Sequence, residues 1–222
     1  GIGTVCYNFT PLFNRMRTDL QRVEPQGETC FSTQKMAAFD MFMLGRSGAD
    51  HSYDRLTVAA AEAWFGQATN TEKADLFHAV TSGFRAIGPV PDLAALRAAL
   101  VPYEGMTTDD LRSNLKSFLN EVVSTAHDVG ISMALVPGDP PRSILGLPNV
   151  VSDVDDLKWI MNVMDVPSNG LTLISGALGA LPENDVLEIC REFSERIHFA
   201  ELRNVVLAPD GSFRESDHLE GD

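Results

Sequence analysis

The chain has no run of eighteen apolar residues, which excludes a membrane-spanning helix of ordinary length. It is also short of positive charge: 17 basic residues face 31 acidic ones, for a net charge of −14. A phosphate-binding face needs concentrated Lys or Arg, so nucleic acid is not expected as a partner. One or two local arginines are still enough to hold a small anion. Cysteine is scarce, and Cys6, Cys30 and Cys190 leave at least one thiol unpaired. Their spacing fits neither a zinc site nor a thioredoxin motif, so plain thiols in a reducing cytoplasm are expected. There is no nucleophile elbow, zinc motif or P-loop. The opening GIGTVCYNF lacks the basic start of a secretion signal and reads as strand, so no targeting segment is expected.

What is present is an ordinary globular composition, 44% hydrophobic over 222 residues, enough to bury a core in one domain. Strand character falls at Thr4 to Phe9, Ile131 to Leu135, Leu171 to Ile174 and Ile197 to Leu202. The last three alternate with amphipathic helical runs. In the longest of these, capped by Thr108, the residues Leu111, Leu115, Phe118, Leu119, Val122 and Ala126 line one face. Ser152 is expected to cap the next helix, and Pro182 to Ser194 to form another. Short strands joined by such helices form parallel sheets with right-handed crossovers. Residues 29–106 read instead as a helical insertion, from a helix capped by Ser32 to a short piece ending at Leu100. It either covers a pocket or mediates assembly. Asn169 and Gly170 read as a turn, and the segment after Pro209 as a loose polar tail.

The chemistry is expected at the carboxyl ends of the strands. The loop VPGDPPRSILGLP, from Val136 to Pro148, is stiffened by prolines and carries Asp139 and Arg142. It is either a ligand loop or a structural turn in which Arg142 pairs with a nearby acid. Asn8 ends the first strand. Arg15 and Arg17 follow, either as surface charge or with one of them, Arg17 being favoured, reaching an anionic ligand. Glu201 and Arg203 end the last strand, where Glu201 either points into a pocket or is a solvent-facing or Arg-paired acid. The small residues Ser175 to Gly179 do not form a dinucleotide fingerprint.

Four blocks, TVCYNFTPLFNRMRTDL, KMAAFDMFMLGRSGA, GDPPRSILGLPNVVS and HLEGD, resemble the mannonate dehydratase family. With their intervening order they cover essentially the whole chain. The resemblance implies a (β/α)8 TIM barrel, here a partial one of about four parallel strands with amphipathic helices and a helical insertion. It implies a cytoplasmic oligomer that uses Mn2+ or a similar divalent ion. The family reaction, in hexuronate breakdown, converts D-mannonate to 2-keto-3-deoxy-D-gluconate and water. By the same resemblance Asn8, Arg17, Asp139, Arg142 and Arg203 are the expected sugar-acid contacts.

The resemblance also implies departures. The family is longer, and this chain resembles its middle, with the first two and last two barrel strands expected to be absent. Val136 stands where the family has a metal-binding histidine, Ile174 where it has a cysteine, and Glu201 where it has a second histidine. Arg214 replaces a histidine of the tail, leaving Glu201 and His218 as the candidate metal ligands. Val and Ile donate no electron pairs, so weak or no turnover by this chain is expected. The alternative is a non-catalytic sugar-acid-binding or assembly protein, or a fragment of a larger enzyme, and the expected partner is a second copy or a chain supplying the other strands.

Overall fold

The structure is a computed structural model that describes residues 1–20, 29–84 and 90–221. Asp222, the last residue of the HLEGD block, and residues 85–89 of the expected insertion lie outside the described residues. In chain order the elements begin with β1 (Thr4–Asn8), β2 (Cys30–Phe31) and α1 (Thr33–Ala38), which runs into a π-helical turn (Phe39–Leu44). Helices α2 (Arg55–Gln67), α3 (Asn70–Thr81), α4 (Leu93–Leu100) and α5 (Thr108–Asp128) follow. Then come β3 (Ser132–Val136), α6 (Val154–Val163), β4 (Asn169–Ile174), α7 (Ser175–Leu178), α8 (Val186–Glu192), β5 (Ile197–Glu201), β6 (Asn204–Leu207) and β7 (Phe213–Ser216).

Strands β1, β3, β4 and β5 form a parallel sheet in that order, flanked by helices, the architecture of a partial (β/α)8 barrel. The pleat of each strand fixes the two faces. Met133, Leu135, Leu171 and Leu173 point to one side and pack against Leu115, Leu119 and Val123 of α5 and Leu157 and Ile160 of α6. The α5 stripe repeats every three or four residues, so each of its leucines is buried and contributes roughly 1.5–3 kcal/mol. Val123 rather than Val122 is fully buried there. The outer strands remain open: Val5 is 36% and Phe199 52% exposed. The sheet curls enough for β1 and β5 to come within 8 Å between Cα atoms.

A second core gathers the helices of residues 33–100 with the proline loop and a small antiparallel sheet, β2-β7-β6. Phe13, Phe31, Phe39, Leu76, Leu96 and Phe213 are buried in it. This sheet corrects two expectations. The segment beyond Pro209 is not loose, because Asn204–Leu207 and Phe213–Ser216 pair as a hairpin around a turn closed by the Ala208 N–H bond to Ser212 O. The expected helical insertion, residues 29–106, also holds a strand, Cys30–Phe31, too short to show a period.

Local capping places the other corrections. Ser32 does cap α1, accepting from the Lys35 N–H at 3.2 Å. The long helix is capped one residue early, by Thr107, in a reciprocal box with Asp110. Asp153, not Ser152, caps α6, since its carboxylate accepts from the Asp156 N–H at 2.9 Å while Asp156 accepts from the Ser152 N–H. Helix α8 begins only after Asp185, with Pro182 to Asn184 in the preceding turn. Asn169 and Gly170 open β4 instead of turning. The Asn169 amide donates to Ile160 O and Met164 O, closing the end of α6. Gly170 is there for close approach: a methyl group on it would lie 2.2 Å from Arg196 O and 2.3 Å from the His198 ring. No helix among the described residues is long and apolar enough to cross a membrane.

Candidate functional site

At the carboxyl edge of the parallel sheet the register aligns Asn8 with Val136 and Ile174 with Glu201. The loop after β1 then runs beside the proline loop after β3. The Met16 N–H donates to Asp139 O at 2.7 Å, and this backbone pairing delivers Arg15 and Arg17 to the carboxylate of Asp139.

Arg17 is 2% exposed and holds Asp139 with two parallel bonds, Nη1 to Oδ1 at 2.8 Å and Nη2 to Oδ2 at 3.0 Å. Its Nη1 also donates to Met16 O, and its Nε to Thr29 Oγ1 at 3.2 Å. The guanidinium lies 5.0 Å above the Phe213 ring. Arg203, just past β5, donates from Nη2 to Asp139 Oδ2 at 2.8 Å. Its Nε lies 2.9 Å from Glu201 Oε1, an ion pair without hydrogen-bond alignment. Glu215 on β7 completes the cluster: a single oxygen, Oε1, accepts from Arg15 Nη2 at 2.6 Å, Arg203 Nη1 at 2.7 Å and Arg17 Nη2 at 2.9 Å.

Burial alone would raise the pKa of Asp139, but the charges and hydrogen bonds of Arg17 and Arg203 outweigh it and hold the carboxyl below its ordinary range. Glu215 follows the same balance. Desolvation pushes it up, while the hydrogen bond from Arg17 and the charges of Arg17, Arg15 and Arg203 bring it below the usual glutamate value. Both acids are therefore ionised at neutral pH.

The structure thus brings Arg17, Asp139 and Arg203 together, with Arg15 and Glu201 at the edge of the cluster, and leaves Arg142, Asn8 and His218 apart from them. Arg142 donates from Nη2 to Ala180 O at 3.1 Å and Gly211 O at 3.0 Å, and stacks 5.4 Å above Phe31, tying the proline loop to the hairpin turn. The cleft it shares with Asp139 measures only about 30 Å³. Asn8 is exposed at the end of β1, beside a shallow cavity of about 270 Å³. His218 is exposed in the last turn, where its carbonyl accepts from the Asn204 amide. Sequence reasoning missed Glu215 and the part played by Arg15. The signal that would have found Glu215 is Asp210-Gly211, a hairpin-turn dipeptide followed by a short alternating strand.

The same row of strand ends tests whether a divalent ion is accommodated. Val136 and Ile174 present hydrocarbon there, the Glu201 carboxylate is paired with Arg203, and Asp139 and Glu215 are engaged by arginines. Among the described residues no group of three or more His, Cys, Asp or Glu side chains is placed to hold a metal ion. These residues do not fit a Mn2+ centre, whose ion needs several oxygen or nitrogen ligands.

The model for the family D-mannonate dehydratase (UxuA) matches residues 1–222. The mannonate dehydratase of Saccharophagus degradans is 38% identical over 224 residues, spanning 100% of this chain and 56% of that protein. That of Rhizobium meliloti is 39% identical over 227 residues, again spanning 100% of this chain and 56% of that protein. The crystal structure of mannonate dehydratase from Streptococcus suis serotype 2 superposes with a TM-score of 0.64 at 28% identity, covering 100% of this chain and 50% of that one. The chain spans about half the length of the curated relatives it matches. With the whole of its length matched by one family model and its sheet matched by a solved member, the chain belongs to the D-mannonate dehydratase (UxuA) family.

Proposed function

We propose that this chain is a mannonate dehydratase homologue that holds a sugar acid of the D-mannonate class at the carboxyl edge of its sheet and, by itself, turns it over weakly or not at all. The observation that carries this reading is the cluster of Arg17, Arg203 and Asp139 beside a row of strand ends at which Val136 and Ile174 offer no electron-pair donor. The family reaction removes a weakly acidic proton next to a carboxylate and expels hydroxide from the neighbouring carbon. A divalent ion, when bound, stabilises the charge that develops on oxygen, an effect worth several kcal/mol. The residues of this chain supply binding instead, with guanidinium groups that fix a carboxylate and orient the carbon chain. Glu201 and His218 are the residues from which a metal site would have to be rebuilt, and neither belongs to a group of three or more His, Cys, Asp or Glu side chains placed to hold an ion among the described residues.

The setting that goes with this reading is cytoplasmic, with the barrel completed by a homo-oligomer or by polypeptide that supplies further strands. The open ladders of β1 and β5 support that part, since exposed strand edges are ordinarily covered. Sedimentation of the purified chain as a monodisperse monomer would count against it. A second reading, a non-catalytic sugar-acid-binding or assembly protein, is favoured by the same retention of arginines without ligands. The experiment that tests both is formation of 2-keto-3-deoxygluconate from D-mannonate with Mn2+ added and bound metal determined on the same sample. No product and no bound metal is the expected result. Turnover that tracks bound metal overturns it.

A further inference from the structure

Three guanidinium groups converge on one oxygen of Glu215, at 2.6, 2.7 and 2.9 Å. Each is fixed by partners other than Glu215. Arg17 is held by Asp139, Met16 O and Thr29, Arg203 by Asp139 and Glu201, and Arg15 by Thr29 Oγ1 at 2.8 Å. The donors would therefore stay in place if the Glu215 carboxylate withdrew. Asp139 and Glu201 balance two of the three positive charges, so the vacated position would carry one net positive charge and three aimed donors, the complement of a monocarboxylate. Arg15 and Arg17 also form part of the wall of a cavity of about 290 Å³, bounded by Asn14, Ser82, Gly83 and Phe84. That volume lies near the lower end of the range for small-molecule sites. Arg15 is 44% and Glu215 21% exposed, so the cluster is reached from solvent.

We propose that Arg15, Arg17 and Arg203 form a preorganised receptor for the carboxylate of a small organic acid, that Glu215 of the chain itself fills this receptor, and that the acid binds by displacing it. Glu215 acts as an internal competitor. Its position on the hairpin β6-β7 couples occupancy of the site to the conformation of that hairpin's side chains. The inference rests on the sugar-acid reading only for the choice of natural ligand, and an acid without sugar hydroxyls separates the two.

The test is a titration of the intact chain, labelled with 13C at glutamate side-chain carboxyls and with the Glu215 resonance assigned through Glu215→Gln. Sodium propionate is added first and D-mannonate second, against sodium chloride at matched ionic strength. The expected result is a saturable movement of the Glu215 resonance with propionate that chloride does not produce. In calorimetry, Glu215→Ala is expected to bind propionate about tenfold more tightly than the wild type, because the internal competitor is gone. Adding Arg15→Gln to that variant is expected to weaken the binding severalfold. A Glu215 resonance that responds to neither acid overturns the proposal, as does a folded Glu215→Ala chain that binds propionate no better than the wild type. Should Glu215→Ala fail to fold, the wild-type titration decides alone. Propionate and D-mannonate binding equally well would keep the receptor and count against the sugar-acid reading.

Discussion

Two ion networks in this molecule, each built on a buried aspartate, have opposite designs. In the helical region Asp40, 0% exposed, sits on the π-helical turn and is matched by one guanidinium. Arg46 donates to Oδ1 at 2.9 Å and Oδ2 at 2.6 Å, and the Tyr53 hydroxyl adds a third bond at 3.1 Å. All three residues lie within fourteen positions of one another in the chain. Burial first, and then the Asp40 charge, push the Tyr53 hydroxyl well above its ordinary pKa, so it stays a donor. At the sheet edge, three guanidiniums serve Asp139 and Glu215, and the partners are separated by up to 200 residues in the chain. The first network is saturated, one cation to one anion, as a structural lock requires. The second concentrates three donors on one oxygen, and two of its arginines also line a cavity.

The comparison is broken most severely by Arg17→Ala. It leaves Asp139 buried beside only part of its donor set, and a loss of about 3–5 kcal/mol in urea unfolding is expected. An unchanged midpoint would show that Arg15 and Arg203 suffice. The same cluster sets an acid limit. Because Asp139 and Glu215 have folded-state pKa values below their unfolded ones, their contribution to stability is fully present above the ordinary carboxylate range. It is lost as pH falls through the depressed folded values. Thermal melts of the wild type should therefore stay flat down to the ordinary range and fall below it, and Glu215→Gln should fall less steeply.

Arg46→Ala is expected to cost less, about 2 kcal/mol, since Tyr53 still donates to Asp40 and the partly exposed position lets water replace the guanidinium. A cost as large as that of Arg17→Ala would mean that the two networks differ in position only. The smallest effect belongs to a purely local contact. Ser32→Ala removes the cap of α1 and should lower stability by about 1 kcal/mol, read as a shift in the urea midpoint.

What could be read in the chain follows the same division between local and distant. The four parallel strands and the long α5 helix announce themselves because each strand is a short apolar run and the helix repeats its leucines every four residues, both properties of neighbouring positions. Ser32 was legible as a cap for the same reason. The caps at Thr107 and Asp153 were misplaced by one residue because Thr, Ser and Asp compete for adjacent positions, and the choice depends on which side chain meets the free N–H. The strands β2, β6 and β7 were missed because two to four residues give no period.

Arg17, Asp139 and Arg203 stand out in the sequence by their motifs, and Arg142 and Asn8 stood out equally. Which of these five meet was decided by the pairing of the Met16 backbone with Asp139 and by the turn that sends Arg142 to Ala180 and Gly211. The sequence by itself determined the four parallel strands, the long helix, the family and the presence of hydrocarbon at Val136 and Ile174, because these are properties of residue type and short-range spacing. Only the tertiary structure decided that Glu215 lies among three arginines. Residues up to 200 positions apart meet through sheet register and loop packing, and no local pattern encodes that meeting.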